Sequence, residues 1–319
     1  MQTSRSIQYS LIVLTVIVIT SYFLVLTYAY NSYGNELVKI QKKYLEKLPK
    51  DSDKIFIIGN SRTLALDPYR IEENIDKEFE VYNLSIGGTG YLERMKVIDL
   101  LIESKPKVVI LGISGDDFSE EVRKIEFNSE QKNFFPDVKS IINSNLKKIS
   151  DDIPFLNAPR LYFFSIFTSN YDELKISFSE KENSKIPFFI KSENDYKIIP
   201  NNQLKLENDR IIPTIKSVEN NPKLLRFENF IDKLVKNNIK VVIITNPFSK
   251  IWIDSTPIER TENFKVILNH LNESNNVKIF DFTERYSNLE IWRDPQHIAF
   301  GQSSNVYTDD IIKIIKEEI

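Results

Sequence analysis

The chain has 319 residues, is 41% hydrophobic and 27% charged, and carries a formal net charge of −3. That composition suits a globular protein of one large domain or two ordinary ones, and it offers no basic excess for nucleic acid. Cysteine is absent, which excludes disulfides, thiolate-bound metals and thiol catalysis, and only two histidines, His270 and His297, can supply imidazole chemistry.

From Ser6 to Asn35 the sequence carries no charged residue. Within it, "IQYSLIVLTVIVITSYFLVLTYAY" supplies the roughly 20 apolar residues that cross a bilayer as a helix, with Tyr22, Tyr28 and Tyr30 toward one end. A cleaved signal peptide is the alternative, since Thr27–Ala29 reads "TYA", but the apolar core exceeds the roughly 7–15 residues usual for one. A buried helix does not fit, because no polar face interrupts the segment. The expectation is a signal anchor over residues 1–50 that includes a helical stalk, "NELVKIQKKYLEKLPK". Lys39, Lys42 and Lys43 beyond the span argue against an outside domain under the positive-inside rule, although long domains translocate largely regardless of charge.

Residues 51–319 then read as one α/β domain. Continuous β-branched runs appear at "KIFIIG", "FEVYNL", "PKVVILGI", "IKVVIITNP" and "VKIFDFT". Between them lie segments of helical spacing: "DPYRIEENI", "YLERMKVIDLLIESK", "PKLLRFENFIDKLVKNN" and "IERTENFKVILNHLNES". This alternation predicts a three-layer α/β/α sandwich around a central, mostly parallel sheet, flavodoxin-like in type. Ligands in such sheets bind beyond the carboxyl ends of the strands. An insertion at residues 119–222 breaks the alternation and is expected to form a subdomain, with helices at "SIINSNLKKIS" and "APRLYFFSIF" and a hairpin at "DYKIIPNNQLKLEND". Its role is to shape a substrate groove or bind a partner; a solvated insertion without a role is the bland alternative.

Polar residues at three strand ends and near the C-terminus form a constellation: "GNSRT" around Ser61, "NLSIGGTG" from Asn83, "GISGDDF" from Gly112, and "WRDPQHIAFGQ" from Trp292. Acyl transfer needs a hydroxyl nucleophile, a base, a group orienting the base, and donors for the oxyanion. Ser61 can be the nucleophile, His297 the base and Asp294 its orienter, with the N–H groups of Ser61 and Gly88 as donors. Asn60 and Arg62 flank the serine as candidate substrate contacts. Trp292 either stacks on a sugar or is a wall residue. Taken singly, Ser61 is a turn residue, "DPQH" a turn and "GGTG" a tight bend; the order of the four elements is what points to one site. His270 reads as a surface or helix-end residue, and the few histidines and lack of clustered ligands argue against a metal site or a metal-dependent phosphodiesterase.

"GNSRT", "NLSIGGTG" and "DPQHIAFG" resemble the first, second and fifth blocks of the SGNH (GDSL-like) hydrolases, in the same order, over residues 52–118 and 223–319. The resemblance implies an α/β/α fold, Ser61 as nucleophile, Gly88 as oxyanion donor, and Asp294 and His297 as the rest of a triad, with no cofactor. A membrane span before such a domain is similar to the D-alanyl-lipoteichoic acid biosynthesis and alginate O-acetylation accessory proteins. That branch implies a catalytic domain outside the cytoplasm. It also implies action on acetyl or D-alanyl esters of a cell-surface glycan or teichoic-acid-like polymer, beside a membrane-bound O-acyltransferase. The third block departs from the family pattern: no asparagine follows Gly112, and Ser114 or Asp116 stands nearest its place. An ionised Asp116 would repel an oxyanion. The rival reading is therefore a weak or inactive accessory protein that binds a glycan or the transferase.

Overall fold

The computed structural model describes residues 40–49, 52–75, 79–87, 95–119, 184–189, 192–206, 212–274 and 277–318. The chain divides into two compact units, Met1–Ile40 with Val122–Ile176, and Gln41–Glu121 with Ser177–Ile319; the described residues from Gln41 onward belong to the second. The expected membrane span and the helices expected at "SIINSNLKKIS" and "APRLYFFSIF" lie outside the described residues. Among the described residues no helix is long and apolar enough to cross a membrane.

In chain order the second unit contains β1 (Asp53–Ile58), α1 (Pro68–Asn74), β2 (Phe79–Asn83), α2 (Ile98–Glu103), β3 (Val108–Ile113) and α3 (Gly115–Phe118). After the insertion come α4 (Pro222–Lys236), β4 (Lys240–Thr245), α5 (Lys250–Ser255), α6 (Ile258–Ser274) and β5 (Lys278–Phe280). The short strands β6 (Trp292–Asp294) and β7 (His297–Ile298) precede the final helix, α7 (Asn305–Glu318). Strands β1 to β5 form one sheet in the order β2-β1-β3-β4-β5, every pair parallel. This is the doubly wound order of the flavodoxin type, with its switch point between β1 and β3.

The apolar runs are continuous because both sheet faces are covered. Ile55, Ile57, Val108, Ile110, Val242 and Ile244 point to one face, where Ile71 of α1 and Tyr307, Ile311 and Ile315 of α7 join the same core. Alternate residues Phe56, Val109, Leu111 and Val241 are equally buried on the other face. Phe227, Phe230, Ile231 and Leu234 of α4 and Ile267 and Leu271 of α6 are buried as well, and Phe118 joins the two helices through ring contacts with Phe227 and Phe264. Full burial of each such side chain contributes about 1.5–3 kcal/mol.

Local signals set the helix ends. Asp67 caps α1 by accepting from the Tyr69 and Arg70 N–H groups, with Pro68 at the first helical position. Asn221 and Pro222 do the same for α4. That helix ends where Asn238 turns left-handed at φ 60°, sending the chain directly into β4.

The described parts of the insertion are built into this frame. The Asn83 N–H donates to Lys185 O at 2.7 Å, so residues 184–189 run beside β2, and Ser119 and Ile215 form an antiparallel bridge. Over residues 195–206, the described part of "DYKIIPNNQLKLEND", the expected hairpin is not formed. Short 3-10 turns occupy Glu193–Tyr196 and Asn201–Gln203, and the intervening extended chain bonds to β6 instead, Ile199 N–H donating to Trp292 O at 2.8 Å. The alternation that mimicked a hairpin reflects this partnership with another segment. Residues 41–47 are helical and bury Gln41, Tyr44 and Leu45, and the Tyr44 hydroxyl donates to Ser184 O at 2.6 Å, so this end of the expected stalk packs on the domain.

Candidate active site

The site lies at the carboxyl ends of β1 and β3, at the switch point. After β1, Gly59 leads into a tight turn in which the Thr63 N–H donates to Asn60 O at 3.1 Å and the Arg62 N–H to Asn60 Oδ1 at 3.0 Å. An asparagine that bonds the backbone two residues on is a standard way to stabilise such a turn. The turn takes up the next two amides, not that of Ser61, and leads into the 3-10 turn Thr63–Ala65. Thr63 is wholly buried and sits against both Gly59 and Gly112, at the ends of β1 and β3. A Cβ at either glycine would fall 2.0 or 2.2 Å from Thr63 Oγ1. The same hydroxyl donates to Asn246 Oδ1 at 2.8 Å, beyond β4. Three strand ends thus grip one threonine, two residues from the serine.

His297 and Asp294 come from an antiparallel β6–β7 hairpin with a bulge. Trp292 anchors its base, with none of its surface exposed. Ser249 holds its tip, where the hydroxyl donates to Pro295 O at 2.7 Å and the N–H at 3.2 Å. On this frame Ser61 Oγ lies 2.8 Å from His297 Nε2, and His297 Nδ1 lies 2.9 and 2.8 Å from the two oxygens of Asp294. Asp294 Oδ1 also accepts the N–H groups of Gln296 and His297 at 2.8 and 3.0 Å.

Proton positions follow from this pattern. Burial raises the Asp294 pKa, but the hydrogen bond and charge of His297, the Gln296 N–H and the nearby Arg293 outweigh it and hold the carboxyl below its usual value. An ionised carboxylate can only accept, so Nδ1 carries the imidazole proton and Nε2 presents its lone pair to the Ser61 hydroxyl. Burial also lowers the His297 pKa; Asp294 opposes this, and the charges of Arg62 and Arg293 add to it. The ring is neutral at physiological pH, as a base must be.

No protein-family model matches the chain, and no curated protein does. Among solved structures it is similar to a GDSL-like lipase from Bacteroides thetaiotaomicron VPI-5482, at 10% identity and TM-score 0.43, covering 91% of this chain and 98% of that one. It is also similar to the acetyl xylan esterase AlAXEase, at 13% identity and TM-score 0.42, covering 83% and 100% respectively. The chemistry of the site rests on its own geometry.

The remaining candidate residues divide by burial and partners. Gly88 lies outside the described residues; its neighbour Gly87 borders the serine, since a Cβ there would lie 3.6 Å from Ser61 Cβ. Ser114 is wholly buried; its hydroxyl bonds Asp117 Oδ2 and accepts from Arg62 Nη1, both at 3.2 Å, so its proton is already engaged. Asp116 accepts from Arg62 at 2.6 Å and from Arg260 at 2.5 Å. With these partners neither side chain is placed to donate to an oxyanion. Trp292 lies wholly buried in the core beneath the hairpin, so it neither offers a face to a sugar nor forms a wall of the site. Asn60 shapes the turn, and Arg62 lies folded beneath the serine rather than out in a groove.

Sequence reasoning missed Asn246, Gln296, Arg260 and the pair formed by Arg293 with Asp195. Asn246 was reachable by applying the strand-end rule to "IITNP". The others follow from pairings across long sequence separations, for which the sequence holds no local signal. Among the described residues no group of three or more His, Asp or Glu side chains is arranged to hold a metal ion.

Proposed function

We propose that the protein is a serine acyl-ester hydrolase or acyltransferase of SGNH type. The observation that carries this is the relay from Ser61 through His297 to Asp294, with every link between 2.8 and 2.9 Å. Ser61 Oγ attacks the acyl carbonyl while its proton passes to His297 Nε2, and Asp294 stabilises the resulting imidazolium. The Ser61 and Gly88 N–H groups receive the oxyanion. Collapse expels the alcohol, which takes the proton from His297 and leaves an acyl-serine. Water then releases the acid, or a sugar hydroxyl takes the acyl group.

The apolar stretch from Ser6 to Asn35 supports a single-pass anchor, and the resemblance to the membrane-anchored branch supports a domain outside the cytoplasm. On that basis the substrates are acetyl or D-alanyl esters of a cell-surface glycan or teichoic-acid-like polymer, with a membrane-bound O-acyltransferase as the partner. A second reading, an accessory protein that binds such a glycan or transferase, is favoured by Ser114, whose engaged hydroxyl supplies no side-chain donor. One comparison separates the two: hydrolysis of 4-nitrophenyl acetate by the full-length chain and by Ser61→Ala. The enzyme reading expects turnover that Ser61→Ala reduces to background; equal rates would overturn it in favour of the accessory role.

A further inference from the structure

Arg62 has no part in the proton relay, yet it follows Ser61 in the chain and bonds the residue before His297. It is 8% exposed. Its guanidinium donates to Ser114 Oγ at 3.2 Å, to Asp116 Oδ2 at 2.6 Å and to Gln296 Oε1, while lying 4.8 Å from the centre of the Phe248 ring. These partners come from separate places: the turn after β3, the residue before His297, and the chain after β4. Asp116 in turn spends its other oxygen on Arg260 of α6, which also donates to Pro213 O.

A guanidinium is a rigid planar fork with five donors, so it can fix several partners in a set arrangement and stack on a ring, whereas an ammonium on a flexible stem cannot. Here the fork begins on the turn bearing Ser61 and ends on the neighbour of His297. We propose that Arg62 is a positioning residue for the acyl-transfer reaction, its fork clamping the Ser61 turn to the His297 hairpin and to the β3 turn at Ser114. The inference rests on the acyl-transfer reading above.

The clamp also sets the charge around the base. The groups facing His297 are Asp294 and Arg293 on its own hairpin and Ser61 and Arg62 on the β1 turn. Asp195 stands behind Arg293, and Asp116 and Arg260 stand behind Arg62. Asp294 favours the imidazolium; Arg62 and Arg293 oppose it. A residue serving stability alone would leave both the rate constant and this balance unchanged in a folded variant.

The test uses the full-length chain and two variants, Arg62→Lys, which keeps the charge and loses the fork, and Arg62→Met, which loses both. Because the chain has only two histidines, imidazole NMR can follow the His297 titration on its own. Both variants should lose kcat on 4-nitrophenyl acetate with KM little changed, on the order of 10²-fold for a displacement near 1 Å. The His297 midpoint should rise in Arg62→Met and stay in place in Arg62→Lys. Should Arg62→Met fail to fold, Gln296→Leu cuts the clamp from the hairpin side and should lower kcat with Arg62 intact. Unchanged kcat in folded Arg62→Lys and Gln296→Leu, while Ser61→Ala is inactive, would overturn the inference alone. An active Ser61→Ala would overturn the acyl-transfer reading itself.

Discussion

Substituting Gly112 by alanine tests how the sheet holds the Ser61 turn. The new Cβ would fall 2.2 Å from Thr63 Oγ1, 2.7 Å from its Cγ2 and 3.1 Å from its Cβ. Thr63 is wholly buried and hydrogen-bonded to Asn246, so it has no empty space to enter. Overpacking of a close-packed site costs about 1–3 kcal/mol, and breaking a buried hydrogen bond adds a comparable amount, so Gly112→Ala should lose about 3 kcal/mol or more. The displaced turn carries Ser61, and activity should fall on the order of 10²-fold. Urea unfolding followed by tryptophan fluorescence reads the stability, because Trp292 lies in the hairpin that holds His297. The decisive control is Thr63→Ala, which removes the two atoms nearest the new methyl and leaves only the contact at 3.1 Å. The double variant should be more stable than the sum of the single effects predicts, by about 1 kcal/mol or more. Simple additivity, or a Gly112→Ala protein as stable as the parent, would refute the gripping of Thr63 by the two glycines.

The acid limb of kcat/KM should lie below about pH 6.5, the ordinary imidazole value, because burial depresses His297 and only the neutral ring accepts the serine proton. The same depression makes stability linked to His297 full above that value, and it is lost as pH falls through the folded midpoint, which unfolding titrations across the acid range would detect. Asp294→Asn should lower kcat on the order of 10⁴-fold with the fold retained, by leaving the imidazole in the wrong tautomer; steady-state kinetics check it. Trp292→Ala should cost about 3–5 kcal/mol in urea unfolding, as removal of a wholly buried aromatic does, while Trp292→Phe retains most of that stability.

The sheet was legible because its strands are buried on both faces, so runs such as "KVVIIT" and "KVVILGI" stand out against amphipathic helices. Helix starts were legible where Asp67-Pro68 and Asn221-Pro222 combine a cap with a proline. Ser61, Asp294 and His297 were legible as a set because strand-end chemistry appeared in the order one site needs, and the fold brings the three together. The Arg62 network was not, since Ser114, Asp116 and Gln296 lie 52, 54 and 234 residues away and carry no local mark of their partner. Trp292 misled for the opposite reason: its proximity to His297 suggested the groove, whereas strand alternation points the side chain into the core. The segment "DYKIIPNNQLKLEND" has the alternation and turn residues of a hairpin, but the Ile199 N–H of its extended chain donates to Trp292 O of β6.

The central claim is that His297 makes Ser61 nucleophilic. A fluorophosphonate probe applied to the folded full-length chain, followed by peptide mapping, measures that directly. A single modified residue, Ser61, is expected, with labelling abolished in His297→Ala. An unlabelled Ser61, or labelling as fast in His297→Ala as in the parent, would contradict it.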